Sequence, residues 1–439
     1  MSEGFLQQFV KDYGNEPGWL RDIRRSALDR FAALGFPNRQ QEAWRYTNLD
    51  PIQQTAFKSV DFSSPGVIKT VQLAELMGDT IAAQRLVFVN GHYASELSLA
   101  KGLPDGVIFG NLSDMIVSHP KLLEESLTHY APYQDQSLVA LNTAFLHDGA
   151  FVYIPKGLAL AQPLELIYVS SLDGAGIAGV SYPRNLIVVG DEAQVTVVER
   201  YVGVARDPYL TNAVTEMVGG AGSHIDHYKI QQEGKLAFHL GSLQVRQGRD
   251  CHFSSHAITL GGKLSRNDVT TVLSDQGCDT TLNGLYLVGG QQHVDSQTSI
   301  DHACPHGTSR ELYKGILSDQ ATGVFNGRII VRPDAQKTSA RQSNKNLVLS
   351  DEAQVNTKPV LEIYANDVKC NHGATIGRLD EQQLFYLRSR GLGEPEAKGL
   401  LTYAFASDVV DSIKVETLRN RLKEWLFVRL AGQGKLEAA

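Results

Sequence analysis

From about residue 137 to residue 377 the chain is a succession of short apolar or alternating runs, each ended by Gly, Asp or Asn. Ala150–Ile154, Leu164–Val169, Asn185–Val189, Gln194–Glu199, His224–Ile230, Leu285–Val288, Ile329–Val331 and Val360–Tyr364 are examples, and no credible helix longer than two turns interrupts them. Runs of this length, bounded by turn formers, predict strands. A loose repeat runs through them. Leu273-Ser274-Asp275, Leu317-Ser318-Asp319 and Leu349-Ser350-Asp351 each follow an apolar residue, and Val189-Gly190-Asp191 is a weaker copy. The intervals between copies shorten along the chain, so the period is irregular. Strands and polar turns repeating every roughly 20–50 residues point to a solenoid or a propeller. No four-strand blade signature is present, so the expectation is a mainly β fold built on a β-helix, with each rung burying its core against its neighbours. A β-sandwich is the alternative, and this run is long for one.

Helical spacing flanks the strands. Phe5, Leu6, Phe9, Val10 and Tyr13 predict a helix over 3–14 with Gly14 as its stop. Pro17 opens a second helix through Leu34, closed by Gly35 and Pro37. Glu42-Ala43-Trp44-Arg45-Tyr46-Thr47 is either a charged helix end or a contact surface. Residues 86–93 predict a strand with an Asn90-Gly91 turn, and 112–130 one more helix. After Gly377, Asp380 caps a helix carrying Leu384, Phe385 and Leu387, and Gly393-Glu394-Pro395 starts another. Ser407 or Asp408 caps a third, running through Leu430. The expected division is a helical region with a few strands over 1–135, the β-helix core over 136–377 and a helical domain over 378–439. Three short helices do not bury all their apolar faces among themselves. They are expected to pack on the β-domain or to offer a groove to another protein.

Composition excludes several classes of function. The net charge of −7 gives no electrostatic reason to expect nucleic acid or an anionic membrane as partner. No apolar run approaches the roughly 20 residues of a membrane helix. Met1-Ser2-Glu3-Gly4-Phe5 lacks the basic and apolar regions of a secretory signal. Four scattered cysteines do not make a disulfide framework. The expected setting is the reducing cytoplasm. There is no phosphate loop, so the chain itself is not expected to hydrolyse ATP, and Gly219-Gly220-Ala221-Gly222 lacks the βαβ context of a dinucleotide site.

Two clusters carry candidate chemistry. In Asp367-Val368-Lys369-Cys370-Asn371-His372-Gly373, side chains at i and i+2 of a strand share a face, which puts the Cys370 thiol beside the His372 imidazole. That pair suits zinc, iron or an iron–sulfur species, but two ligands do not complete a site, so partners must come from elsewhere in this chain or from another. The plainer reading makes Cys370 a small buried hydrophobe and His372 a polar strand-end residue. In the second cluster, His302, Cys304 and His306 alternate and would share a face on an extended strand. Against a metal site there, Pro305 interrupts strand pairing. The better reading is a polar turn network with Ser309 and Tyr313. A β-helix can also host a polysaccharide-cleaving enzyme, which needs paired carboxylates or a base on one exposed face. The acidic residues here mostly mark turns.

Several longer motifs resemble the SufB/SufD family of iron–sulfur cluster assembly proteins, nearer its SufD than its SufB branch. They are Glu42–Thr47, Leu141-Asn142-Thr143-Ala144-Phe145, Pro183-Arg184-Asn185-Leu186, Asp301-His302 to Tyr313-Lys314-Gly315, Phe325-Asn326-Gly327-Arg328, Gln342–Leu347 and Leu349–Arg390. The resemblance implies a right-handed parallel β-helix between helical regions. It implies a non-catalytic scaffold subunit in a complex with a SufB-like paralogue, paired through β-helix edges, and with the ATPase SufC, docked on helices 380–430. Sulfur would arrive indirectly from the SufS–SufE desulfurase system, whose stimulation the family resemblance also implies. In isolation the chain is expected to be able to pair with itself. His372 matches the family's functional residue at the paralogue interface and Cys370 lies beside it, so both are expected at a transient iron–sulfur cluster. A reduced flavin is associated with such complexes, but no flavin motif is legible, and no cofactor is expected in the isolated chain. The sulfur-receiving cysteine motifs of the SufB type are missing, and Cys251, Cys278 and Cys304 are read as structural.

Overall fold

A computed structural model describes residues 16–60, 81–172, 176–203 and 207–430. The helix expected over 3–14 lies outside them. The strand-forming run builds a parallel β-solenoid flanked by helices at both ends, as its turn-punctuated pattern predicts. Consecutive strands alternate between two sheets, and each pairs in parallel with the strand two places away. In the second sheet His252 stacks over Asp279, Asp279 over Thr308, Thr308 over Ser339 and Ser339 over Lys369, rungs of slightly unequal length.

These rungs explain the irregular repeat. Val189 aligns with Gly219, Gly219 with Gln247 and Gln247 with Leu273, so the widest interval is three rungs along one corner of the first sheet. Leu317 aligns with Val348 in the other sheet, so the shortest interval is one rung. The interval from Leu273 to Leu317 is a rung and a half, crossing from one sheet to the other.

The inward faces of both sheets fill the lumen. Leu164, Leu166, Ile187, Val197, Phe253, Leu282, Ile300, Phe325 and Ile329 belong to one buried cluster. Each outer face has its own helical cover. On the first sheet, Leu210, Phe238, Leu240 and Leu264 receive Ala27 and Phe31 of the helix Gly18–Leu34 and Leu141 of the helix Ser137–Ala144. On the second, Tyr228, Ile258, Leu285, Leu287 and Ile316 receive Val409, Val410, Leu418, Leu422 and Leu426 of the C-terminal helices. Leu418, Leu422, Leu426 and Leu430 recur at every fourth position, the spacing that lays one stripe of a helix against a flat surface.

The hairpin expected at 86–93 is present. Gln84–Val89 and His92–Tyr93 pair antiparallel through Asn90 at φ 52° and Gly91 at φ 87°, the left-handed conformations that a two-residue turn demands. Asp380 caps the helix Glu381–Ser389 as expected, accepting from the backbone N–H of Gln382 at 2.8 Å. Two expectations fail. Residues 112–130 do not form one helix but two short ones, Leu112–Ser118 and Pro120–Glu124. Pro120 has no N–H to donate and pushes His119 out of the helical region, to φ −131° and ψ 51°. Ser407 and Asp408 do not cap a separate helix, because Glu394–Asp411 runs straight through them. Ser407 Oγ donates back to the Ala404 carbonyl, and Asp408 accepts from Lys314, so neither side chain is available as a cap.

Buried ion pairs fasten the covers to the solenoid. Arg184 is fully buried and donates to Glu216 Oε1 at 2.6 Å and to Asn142 and Thr143 of the helix Ser137–Ala144. Glu216 in turn accepts from the backbone N–H of Thr128, Tyr130 and Ala131. Removing one member of such a pair strands the other in a dry interior, at a cost of about 3–5 kcal/mol. Arg184→Ala is therefore expected to lower the unfolding free energy by roughly that amount and to speed hydrogen exchange over 128–144 first. An unfolding free energy from urea denaturation lowered by less than a quarter of this would refute the assignment.

Candidate functional site

Lys369–Gly377 is the last strand of the second sheet and, among the described residues, pairs on one side only, with Ser339–Val348. Register places Cys370 over Ala340, which stacks over Ser309, and His372 over Gln342, which stacks over Glu311. Ala340, Gln342, Ser309 and Glu311 are all buried in the lumen. Cys370 and His372 therefore share the lumenal face of the terminal rung, as their i, i+2 spacing requires. Among the described residues no further rung covers them. Cys370 is half-buried against the lumenal core, and His372 is exposed. Burial pushes the Cys370 thiol above its ordinary pKa, partly offset by the Ala340 backbone.

The open end has two unlike edges. Gln354–Ile363 closes the first sheet and carries Pro359, which cannot donate to a further strand, and Lys358, which is ion-paired to Glu42. Lys369–Gly377 carries neither proline nor an inward charge. Ile363, Tyr364 and Ile376 are exposed apolar side chains at this end.

The second candidate cluster does not assemble. Its strand ends at His302, so Cys304 and His306 fall in the following turn, with His306 at φ 60°. His302 turns into the lumen and bonds Ser309 through Nε2 at 2.9 Å, and burial lowers its pKa to about 4. Tyr313 stays out of this network, packing its ring on Phe325. Among the described residues no group of three or more His, Cys, Asp or Glu is arranged to hold a metal ion. Cys251 and Cys278 are buried at the turns, and burial lifts their thiols to about 12 and about 11. They behave as small core residues.

Most of the long motifs noted in the sequence prove to be fastenings. Trp44 lies under Arg266, whose guanidinium carbon is 3.6 Å from the ring centroid, and Ala43 O and Asp295 accept from the same guanidinium. Thr47 Oγ1 donates to Asp295 at 2.6 Å. The Glu42–Thr47 cluster is thus a contact surface turned toward its own solenoid. Asn142 reaches the carbonyls of Pro183 and Asn212. Lys314 Nζ donates to Phe405 O and Asp408 of the C-terminal helix. Lys369–Thr375 stands apart, because among the described residues none of its side chains fastens a helical cover to the solenoid.

Sequence reasoning missed Gln342 and Glu311 as neighbours of His372. They lie one and two rungs upstream, and rungs of unequal length leave no fixed step by which the sequence alone could find them.

The family model for the SUF system FeS cluster assembly, SufBD core domain, matches residues 171–405, and that for the SufBD protein N-terminal region matches residues 10–166. The chain belongs to the SufBD family of iron–sulfur cluster assembly proteins. An iron–sulfur cluster assembly SufBD family protein of Synechocystis is 34% identical, over 95% of this chain and 92% of its own length. The iron–sulfur cluster assembly protein SufD of Escherichia coli is 30% identical over 98% of each. SufB of Bacillus subtilis is 24% identical, over 94% of this chain and 90% of its own.

Two titrations follow from the lumen. The raised Cys370 pKa means less thiolate at neutral pH than free cysteine carries. Its alkylation by iodoacetamide is expected to reach half-maximal rate above about pH 8.5, the ordinary cysteine value, and to fall to the ordinary profile on unfolding. Glu311 is raised by burial from 4.5 to about 7. Between those values the folded chain keeps a proton that the unfolded chain has lost, so stability from this group is full below 4.5 and declines as pH rises through 7. Wild type should lose roughly 3 kcal/mol relative to Glu311→Gln between pH 5 and pH 8, read from urea midpoints. Parallel curves for the two proteins would contradict this.

Proposed function

We propose that this chain is a scaffold subunit that holds one side of an iron–sulfur assembly site, supplying His372 with Cys370 to a nascent cluster completed by a SufB-like paralogue. The observation that carries this reading is the placement of the pair, a soft thiol and an imidazole side by side on the uncovered lumenal face of a strand whose outer edge is unpaired among the described residues. The cluster is cargo here, built and passed on. Two ligands from one chain leave room for the partner's share. An unblunted strand edge with exposed Ile376, Ile363 and Tyr364 beside it suits docking by backbone pairing and apolar contact. An isolated chain would satisfy the same edge with a second copy of itself.

The C-terminal helices would couple the scaffold to the ATPase SufC. Phe385 and Tyr386 are exposed, and beside them Leu387, Leu400, Leu401 and Ala404 line an apolar groove of about 480 Å³. The same helices are anchored to the solenoid through Lys314 and through Lys414, whose ammonium meets Asp226 at 2.8 Å. Motion of a docked motor would thereby reach the rungs that end in Lys369–Gly377. Sulfur would come from SufS–SufE by way of the paralogue. The chain's own part is non-catalytic on this reading. A glycan-cleaving solenoid would need a free pair of carboxylates, and Asp268 and Asp295 on the outer face are both held by Arg266.

His372→Ala is expected to leave the chain folded and its co-purification with paralogue and ATPase intact, and to abolish maturation of cluster-dependent enzymes in cells that rely on this system. Normal activity of those enzymes in the mutant strain would sink the cluster role.

A further inference from the structure

Gln342 lies between His372 and Glu311 in one lumenal column. Its amide Nε2 donates to Glu311 Oε2 at 2.7 Å. Its carbonyl Oε1 is buried and has no hydrogen-bond partner among the described residues. Leaving a buried acceptor unsatisfied costs about 1–3 kcal/mol, so the arrangement calls for a donor. The next residue up the column is His372, and neighbouring strands stand about 4.8 Å apart, within reach of a side-chain contact. An imidazole N–H is a donor of the required kind.

The opposite sheet makes room for this amide. A Cβ on Gly327 would lie 2.2 Å from Gln342 Nε2 and 2.7 Å from the Phe325 ring, so any larger residue there would displace the amide. Glycine within Phe325-Asn326-Gly327-Arg328 is thus tied to Gln342 within Gln342-Ser343-Asn344. Ionised Glu311 has acceptors only, so it holds the amide with Nε2 toward itself and Oε1 turned away.

We propose that Glu311 and Gln342 are positioning residues for His372: the carboxyl fixes the amide, and the amide oxygen accepts from one ring N–H of His372. The other ring nitrogen is then left bare, facing out of the open end as a ligand. Histidine ligands are commonly oriented in this way by the hydrogen bond their second nitrogen makes. The assignment builds on the reading of His372 as a cluster ligand, but its test does not use cluster assembly.

The test is the tautomer of His372, read by nitrogen NMR of ¹⁵N-histidine-labelled full-length protein at a pH where the ring is neutral, with the signals assigned by their loss in His372→Ala. Wild type should show one dominant tautomer. Gln342→Leu and Glu311→Met should each relax the ratio toward that of free imidazole, while Glu311→Gln, which retains an acceptor oxygen, should keep it. A ratio unchanged in Gln342→Leu or Glu311→Met, whichever folds by circular dichroism, overturns the proposal. Should neither fold, a free-imidazole ratio in wild type overturns it equally. A bias lost in the variants, alongside normal cluster assembly in His372→Ala, would support the positioning and count against the cluster role instead.

Discussion

The architecture depends on in-register parallel stacking. Each strand satisfies its backbone through the strands one rung below and one rung above, and each side chain lies on the side chain of the rung before it. Such a stack has no internal reason to stop. Wherever it does stop, a row of donors and acceptors is left without partners, and a lumenal face that would be dry anywhere else meets solvent. Cys370 and His372 occupy that position. Placed two rungs earlier, the same dipeptide spacing would be core, as Ser309 and Glu311 are.

The solenoid's outer faces would be insoluble without their helical covers, and the charged residues of the longer motifs are used to hold these in place. Arg184 with Glu216 and Arg266 with Asp295 fasten the N-terminal side, and Lys314 with Asp408 the C-terminal side. A fully buried pair such as Arg184 with Glu216 contributes little net stability over an apolar replacement, but it is costly to break on one side. It therefore specifies where a cover sits more than how strongly it adheres. Lys314 is informative in this respect, because its ammonium leaves the sheet to reach a helix far downstream in the chain.

Local chemistry made much of this legible in advance. Turn formers between short apolar runs marked the strands, Asn90-Gly91 marked its hairpin and Asp380 its cap, because each acts within a few residues of itself. The shared face of Cys370 and His372 followed from the period of two in the same way. What stayed hidden was set by distance along the chain. Pro120 was visible, yet its effect on His119 was lost under an apolar pattern that continued across it. Ser407 and Asp408 looked like caps until Lys314 and the Ala404 carbonyl claimed them. Gln342 and Glu311 carry no local sign of lying beneath His372, since rungs of unequal length have no single period to count by.

The two ends of the solenoid are not equivalent. At the N-terminal end, His92–Tyr93 and Ile108–Asn111 lie antiparallel to their neighbours and are too short to template another chain. Growth by head-to-tail addition, the route by which stacked strands become fibres, is thus closed from one side. With one open end among the described residues, strand addition at that end would stop at a pair. The same asymmetry leaves the Cys370 thiol and the His372 imidazole at one end of the stack only.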